Sequence, residues 1–170
     1  MNKFLPIALV FIWNLSWGQN TPTSMAESMR AQQKWAAYIM VSTKMSDEQL
    51  MALAIDAAKA RVPLIFKGVS SRVNSFQLES TRNRIIRLNQ ICCEHQRVVW
   101  ASYPQLFDRY KAAVVPAFVV AKGTSAMASD YVLVSGDLDL ATALKKIAAG
   151  TKNAEARKFA ETLYYKAYAN

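Results

Sequence analysis

The chain has 170 residues, of which 52% are hydrophobic and 19% charged, with five Gly and five Pro. This composition excludes a fibrous protein and a disordered chain, and the length suits one domain with a proper hydrophobic core. The formal net charge of +9 favours anionic partners such as acidic protein surfaces, lipid headgroups or polyanions. The cations are scattered along the chain, so the plainer interpretation is a well-solvated surface.

The N-terminal stretch MNKFLPIALVFIWNLSWGQN has the layout of a secretory signal peptide. Lys3 precedes an apolar run over residues 4–13, and the small residues Ser16 and Gly18 follow. The run is too short for a stable membrane span, so residues 1–18 are assigned to a signal peptide, with an uncleaved anchor as the alternative. Cleavage would remove Lys3, lower the formal net charge to +8 and leave no membrane span. Export would place the protein in an oxidising compartment, where a well-placed cysteine pair forms a disulfide.

The first half of the remaining chain predicts a helix followed by a parallel βαβ unit. Residues 19–35 form an N-terminal helical lead, in which Ser24 and Glu27 have the spacing of a capping box. Ser46 is placed to cap the helix of the βαβ unit, and Gly68 ends its second strand. The three elements of this unit are a strand over 36–42, a helix over 46–60 and a strand over 62–68.

The second half predicts a polar loop over 69–80 and then an alternation of helices and strands. Phe107, Tyr110 and Phe118 are expected in the core, from their helical and strand spacing. The predicted elements are a helix over 78–91, a short strand over 97–101, one or two helical turns over 103–112, strands over 116–121 and 130–135 joined by a hairpin loop, a helix over 137–150 stopped by Gly150, and a last helix over 154–168 whose buried face is Phe159, Leu163 and Tyr164.

This order of elements, together with the Val115–Pro116 step before an apolar strand, resembles a thioredoxin fold and, more closely, the TrbC family of F-type conjugative transfer systems. The similarity extends over residues 38–149 and includes the stretches MVSTKMSDEQL, ARVPLIFKG, YPQLFDRYKAAVVPAFVV and YVLVSGDLDLATALKKIA. It implies an α/β, thioredoxin-like domain over 36–150, with a central mixed sheet flanked by helices. The additional C-terminal helix over 151–170 is predicted from the sequence pattern alone, and the resemblance says little about it. The similarity also implies pilus assembly in the periplasm with other transfer proteins, a TraW-like protein being the expected partner.

The position at which redox-active thioredoxin folds carry a CxxC motif holds no cysteine in this chain. That position follows the first core strand, where a helix N-terminus stabilises a thiolate, and here it reads STKMSDE. Thiol–disulfide exchange of the usual kind is therefore not expected, and Pro116 can be cis or trans. We expect instead a partner-binding groove that pairs with an extended peptide. Its residues are Thr43, Lys44, Met45, Ser46, Val115 and Pro116.

The cysteines of the chain, Cys92 and Cys93, are adjacent, and their state is open on sequence alone. A bond between neighbours requires Cα atoms closer together than in most disulfides, so buried or free thiols are favoured over a vicinal or an intermolecular disulfide. Cys92 shares an apolar stripe with Leu88, which supports burial. His95 has too few partners for a metal site or a catalytic triad, so neither a metal nor another cofactor is expected.

A terminal aromatic stretch, Tyr164, Tyr165 and Tyr168 with Lys166, either packs on the domain or forms an interaction surface. Nucleic acid is not expected as its ligand, because the stretch is short and the protein is exported. No small-molecule substrate is expected either. The sequence thus predicts a non-enzymatic periplasmic assembly factor. Two alternatives are a thiol oxidoreductase or isomerase using Cys92 and Cys93, and an envelope adaptor that binds anionic surfaces.

Overall fold

The computed structural model describes residues 34–67, 75–93, 96–123, 125 and 127–169. The predicted signal peptide, the capping box at Ser24 and Glu27, Gly68 and His95 lie outside these residues. Of the predicted N-terminal helical lead only its last two residues are described, and Trp35 already belongs to the first strand.

A mixed five-stranded sheet in the order β3-β2-β1-β4-β5 forms the centre of the fold. β1 and β2 are parallel, as are β2 and β3, whereas β4 runs antiparallel to both β1 and β5. The predicted βαβ unit and the predicted hairpin are therefore confirmed. The strands are β1 (Trp35–Val41), β2 (Leu64–Phe66), β3 (Trp100–Ser102), β4 (Ala117–Lys122) and β5 (Tyr131–Ser135).

In the described part of the chain, five α-helices connect and extend these strands, and local sequence signals explain most of their ends. Ser46 caps α1 in a capping box with Gln49, Pro104 begins α3, and the side chains of Asp139 and Asn153 cap α4 and α5. The helices are α1 (Asp47–Ala60), α2 (Ser75–Cys92), α3 (Pro104–Arg109), α4 (Leu140–Gly150) and α5 (Ala154–Tyr168).

The hydrophobic core lies on both faces of the sheet, but the helices are divided unequally between them. Buried residues of α1, α2, α4 and α5 pack with Ile39, Phe118 and Val120 on one face. On the other face Tyr110 and the buried residues of α3 pack with Met40 and Val119. The predicted core positions Phe107, Tyr110 and Phe118 are all buried.

Three boundaries differ from the sequence prediction. α2 begins at Ser75, inside the predicted loop, because a polar composition without Gly or Pro does not prevent a helix. β3 is displaced from 97–101 to Trp100–Ser102, because its pairing is fixed by β2, with Trp100 opposite Leu64. The fully buried residues of α5 are Ala156 and Ala160, whereas the predicted Phe159, Leu163 and Tyr164 are only partly buried at the edge of the contact.

Candidate partner-binding site

The loop between β1 and α1 occupies the place of the missing cysteine motif and has an ordered hydrogen-bonded structure. Met45 N donates to Ser42 O at 3.2 Å, which closes a tight turn through Thr43 and Lys44. Ser46 Oγ then accepts from Gln49 N at 3.2 Å, and the Gln49 side chain accepts from Ser46 N at 3.2 Å. The loop therefore passes directly into the first turn of α1.

Arg84, from the middle of α2, fixes this loop from the side. Its guanidinium donates to Asp47 Oδ1 at 2.5 Å, to Thr43 O at 2.7 Å and to Met45 O at 2.6 Å. Arg87 adds a bond to Asp47 Oδ2 at 2.6 Å. The hydrogen bond from Arg84, assisted by the charges of both arginines, lowers the pKa of Asp47 below its usual range. One planar cation thus joins two backbone carbonyls and a carboxylate.

Met45 and Pro116 meet in a pocket of about 250 Å³ beside this loop. The structure thus brings together one residue from each half of the predicted groove. Thr43, Lys44, Ser46 and Val115 are not among its lining residues. The lining consists of Met45, Gln49, Ala52, Leu53, Asp56, Pro116, Asp137, Leu138 and Asp139.

The backbone around the Val115–Pro116 peptide bond, which is cis, extends the sheet toward the pocket. Gly136 N donates to Pro116 O at 3.0 Å, which continues the pairing of β4 with β5 by one residue. Within the described part of the chain, the N–H and C=O of Val115 have no hydrogen-bond partner. The Val115 side chain packs against the core of the α3 face. The contribution of Val115 to the site is therefore its backbone.

Carboxylates give the pocket an acidic rim, which the sequence analysis missed. Asp56 Oδ2 accepts from Leu140 N at 3.1 Å, and Asp139 Oδ1 accepts from Thr142 N at 2.6 Å, so both support the N-terminus of α4. The backbone hydrogen bond from Thr142 lowers the pKa of Asp139, which keeps this carboxyl ionised at neutral pH. Asp137 is exposed at the same rim. Asp56 is distant in sequence from Asp137 and Asp139, so no local motif indicated the cluster.

The three tyrosines of the predicted interaction surface differ in their contacts and exposure. Tyr165 is exposed and meets Tyr164 edge-on at 5.6 Å, while Lys145 lies 4.7 Å from the centre of the Tyr164 ring. Tyr168 instead packs on the domain, with its hydroxyl buried beside Asp56 and no hydrogen-bond partner within the described residues. Burial, followed by the negative charge of Asp56, raises the pKa of Tyr168 well above its usual range. Of the three tyrosines only Tyr165 is fully exposed, because Tyr164 and Tyr168 are partly buried against the core.

Cys92 and Cys93 form a disulfide at the end of α2, with their Cα atoms 3.7 Å apart. This corrects the favoured expectation of buried or free thiols and agrees with the alternative of a vicinal disulfide; α2 ends at Cys92, and Cys93 follows in non-helical backbone. Cys93 is only 6% exposed, and neither cysteine lines the pocket at Met45. Within the described segments, no group of three or more His, Cys, Asp or Glu residues could hold a metal ion.

The sheet order, the Val115–Pro116 step and the capped loop at Met45 define a thioredoxin-like α/β protein whose cysteine motif is replaced by a loop held by arginine. Residues 39–147 match the family described as "Type-F conjugative transfer system pilin assembly protein". The chain belongs to this TrbC family, which gives it a role in assembly of the F-type conjugative pilus. The match spans β1 to α4 and leaves α5 outside.

No curated protein and no solved structure matches the chain significantly. None of the helices in the described segments is both long and apolar enough to cross a membrane.

Proposed function

We propose that the protein is a non-enzymatic assembly factor that works in the periplasm and binds an extended segment of another transfer protein at the Met45–Pro116 pocket. The observation that carries this proposal is the meeting of Met45 and Pro116 in one pocket, beside the backbone of Val115. The N–H and C=O of Val115 have no partner in the described part of the chain, so a peptide strand could bond to them.

The chemistry of the pocket limits which segment fits. Met45 and Leu138 offer apolar contacts, and a flexible methionine adapts to different side chains. Asp56, Asp137 and Asp139 at the rim favour a cationic side chain beside the apolar one. The expected ligand is therefore a short extended segment with an apolar residue next to Lys or Arg. A TraW-like protein is the first partner to test, because the resemblance to the TrbC family implies it.

The test is a cross-linked pull-down with Met45→Glu, which places a charge in the apolar part of the pocket. Met127→Glu is the matched control, because it makes the same substitution at a methionine that is 69% exposed and outside the pocket. We expect Met45→Glu to lose the captured transfer protein while its thermal unfolding stays cooperative, and Met127→Glu to retain it. Equal capture by both folded variants would contradict the groove.

The non-enzymatic part of the proposal has its own test. The β1–α1 loop has no thiol, and Cys93 is nearly buried, so we expect no catalysis of insulin reduction. Pilus assembly should also be retained in the double variant Cys92→Ala, Cys93→Ala. Mixed disulfides with a transfer protein, trapped through either cysteine, would instead support thiol exchange.

A further inference from the structure

The two edges of the sheet differ in how well they are protected against pairing with another strand. The β3 edge has three residues, and short edge strands are a common protection. The β5 edge has five residues, Tyr131–Ser135, with the sequence YVLVS. It contains no Lys, no Pro and no other charged residue, and these are the features that usually block an edge.

The register shows which backbone groups of β5 point outward. Gly136 N donates to Pro116 O, so this pair is hydrogen-bonded across the two strands. In an antiparallel ladder the bonded pairs recur at every second residue, which makes Phe118–Val134 and Val120–Val132 the next two. The pairing of β4 with β1 is consistent with this register, because Gly123 N donates to Lys34 O. The alternate residues of β4 therefore direct their N–H and C=O groups toward β1. The N–H and C=O groups of Tyr131, Leu133 and Ser135 therefore face away from β4.

These outward groups are open within the described part of the chain. No hydrogen bond from another described residue reaches the N–H or C=O of Tyr131, Leu133 or Ser135. All five β5 residues are at least partly exposed, whereas the first five residues of β4 are buried. The edge thus offers a row of donors and acceptors bordered by apolar side chains on both faces, since Val132 and Val134 contact one core and Tyr131 and Leu133 the other.

Charge decides what kind of strand fits this edge. Asp130 precedes β5, and Asp137 and Asp139 follow it. If the β4–β5 pairing is continued by one residue, Lys122 lies opposite Asp130, but its ammonium is paired with Glu155 at 3.1 Å. A second copy pairing antiparallel about Leu133 would bring Asp130 close to Asp137 of that copy, and like charges across strands are destabilising. A segment with cations at both ends would complement the same groups.

We propose that the β5 edge accepts an extended segment of a partner protein as a sixth strand, and that this segment is apolar in its middle and flanked by Lys or Arg. This surface shares Asp137 and Asp139 with the rim of the Met45 pocket, but Tyr131, Leu133 and Ser135, whose backbone groups would bind the strand, do not line that pocket. Main-chain hydrogen bonds supply the affinity, and the acidic flanks select for basic ends.

Amide hydrogen exchange, resolved by residue in NMR, tests the geometry. In the free protein the amides of Leu133 and Ser135 should exchange more than about tenfold faster than those of Val132 and Val134, because only the latter two bond to β4. The probe is the peptide Lys-Val-Thr-Val-Thr-Val-Lys, blocked at both ends, with Glu in place of both Lys in the matched peptide. The Lys peptide should slow the exchange of Leu133 and Ser135 and bind about tenfold more tightly than the Glu peptide.

Three variants separate edge binding from other contacts. Ser135→Pro removes an outward N–H while leaving the bonds to β4, and Ser135→Thr is its control. We expect Ser135→Pro to weaken the Lys peptide at least about tenfold and Ser135→Thr to bind normally. Asp137→Asn changes an exposed rim residue and should reduce the preference for Lys over Glu about two- to threefold.

Several outcomes would overturn the proposal. Slow exchange of Leu133 and Ser135 in the free protein at every concentration would show that another part of the chain covers the edge. Slow exchange that appears only at high concentration would place a second copy there. Unchanged binding of the Lys peptide to folded Ser135→Pro would place the peptide elsewhere.

Discussion

Arg84 is the residue on which the shape of the β1–α1 loop depends most directly. It bonds to two carbonyls and one carboxylate, and a lysine ammonium cannot reproduce that planar arrangement. The sequence analysis did not single out Arg84. Its partner Asp47 lies 37 residues away, so no helical spacing relates the two. Contacts of this kind depend on how α1 and α2 pack and not on local pattern.

Replacing Arg84 by Ala should therefore destabilise the protein. The lost hydrogen bonds from a charged donor to Thr43 O and Met45 O correspond to about 1–2 kcal/mol in urea unfolding, given their partial exposure. The matched control is Arg87→Ala, which removes only a bond to Asp47 from a side chain that is 60% exposed. An equal loss in the two variants would show that Arg84 acts through Asp47 alone.

Tyr168 carries a buried hydroxyl that meets no hydrogen-bond partner among the described residues. Tyr168→Phe removes this desolvated group and keeps the ring that stacks on Tyr164 at 5.7 Å. We expect the free energy of unfolding to stay the same or to rise by up to about 1 kcal/mol, with the exposed Tyr165→Phe as control. A loss of more than about 1 kcal/mol on Tyr168→Phe alone would indicate a hydrogen bond to Asp56.

At the scale of the elements, α5 lies outside the family match but is part of the same core. Ala156 and Ala160 are fully buried, which allows α5 to approach α4 and α1 closely. Larger side chains at these positions would push the helices apart. We expect Ala160→Leu to lower the stability to urea by about 1–3 kcal/mol, whereas Ala154→Leu, at an exposed position of the same helix, should change it by less than about 0.5 kcal/mol. Equal effects would mean that α5 is loosely attached.

The disulfide at the end of α2 closes the smallest loop a chain can form, since its two residues are adjacent. A disulfide restricts the unfolded chain more when it closes a longer loop. This disulfide therefore adds little to the free energy of unfolding through the entropy of the unfolded chain. The double variant Cys92→Ala, Cys93→Ala should lose no more than about 1 kcal/mol in urea unfolding, and reduction of the unmodified protein should act similarly. A loss of several kcal/mol would instead reveal a larger structural role.

The sequence predicted the elements better than it predicted the site, and the difference has a physical origin. Helix ends such as Ser46 and Pro104 are encoded by residues within a few positions, so they could be predicted. The position of β3 depends on its pairing with β2, which local sequence does not encode. The strand was predicted too early in the chain because Val98 and Val99 are apolar, although Val99 is 63% exposed. The acidic rim arises only when α1 meets the start of α4, which no short stretch of sequence encodes.

For the molecule as a whole, hydrogen bonds and nearby cations hold several carboxyl groups ionised in the folded state. The pKa of Asp47 is lowered mainly by Arg84, that of Asp139 by the Thr142 backbone and that of Glu155 mainly by Lys122. A lowered pKa in the folded protein adds stability above the usual pKa of the group, and that contribution is lost as the pH falls. The usual values are 3.8 for Asp and 4.5 for Glu.

Stability to urea should therefore be level between about pH 5 and pH 8 and fall steadily below about pH 4.5. Unfolding midpoints measured across this range check the expectation. The decline should be shallower in Asp47→Asn than in the unmodified protein, because one of the contributing groups no longer titrates. An identical slope in Asp47→Asn would show that the pKa of Asp47 is the same in the folded and the unfolded chain, contrary to the expectation.

The arginine that holds the β1–α1 loop also makes the shape of the loop independent of electron transfer. In a thioredoxin the corresponding segment changes its bonding when it gains or loses two electrons. Here residues 42–46 include no cysteine, and the hydrogen bonds from Arg84 to the carbonyls of Thr43 and Met45 involve no group that gains or loses electrons. A partner that recognises this loop can therefore bind and leave repeatedly without any exchange of redox equivalents.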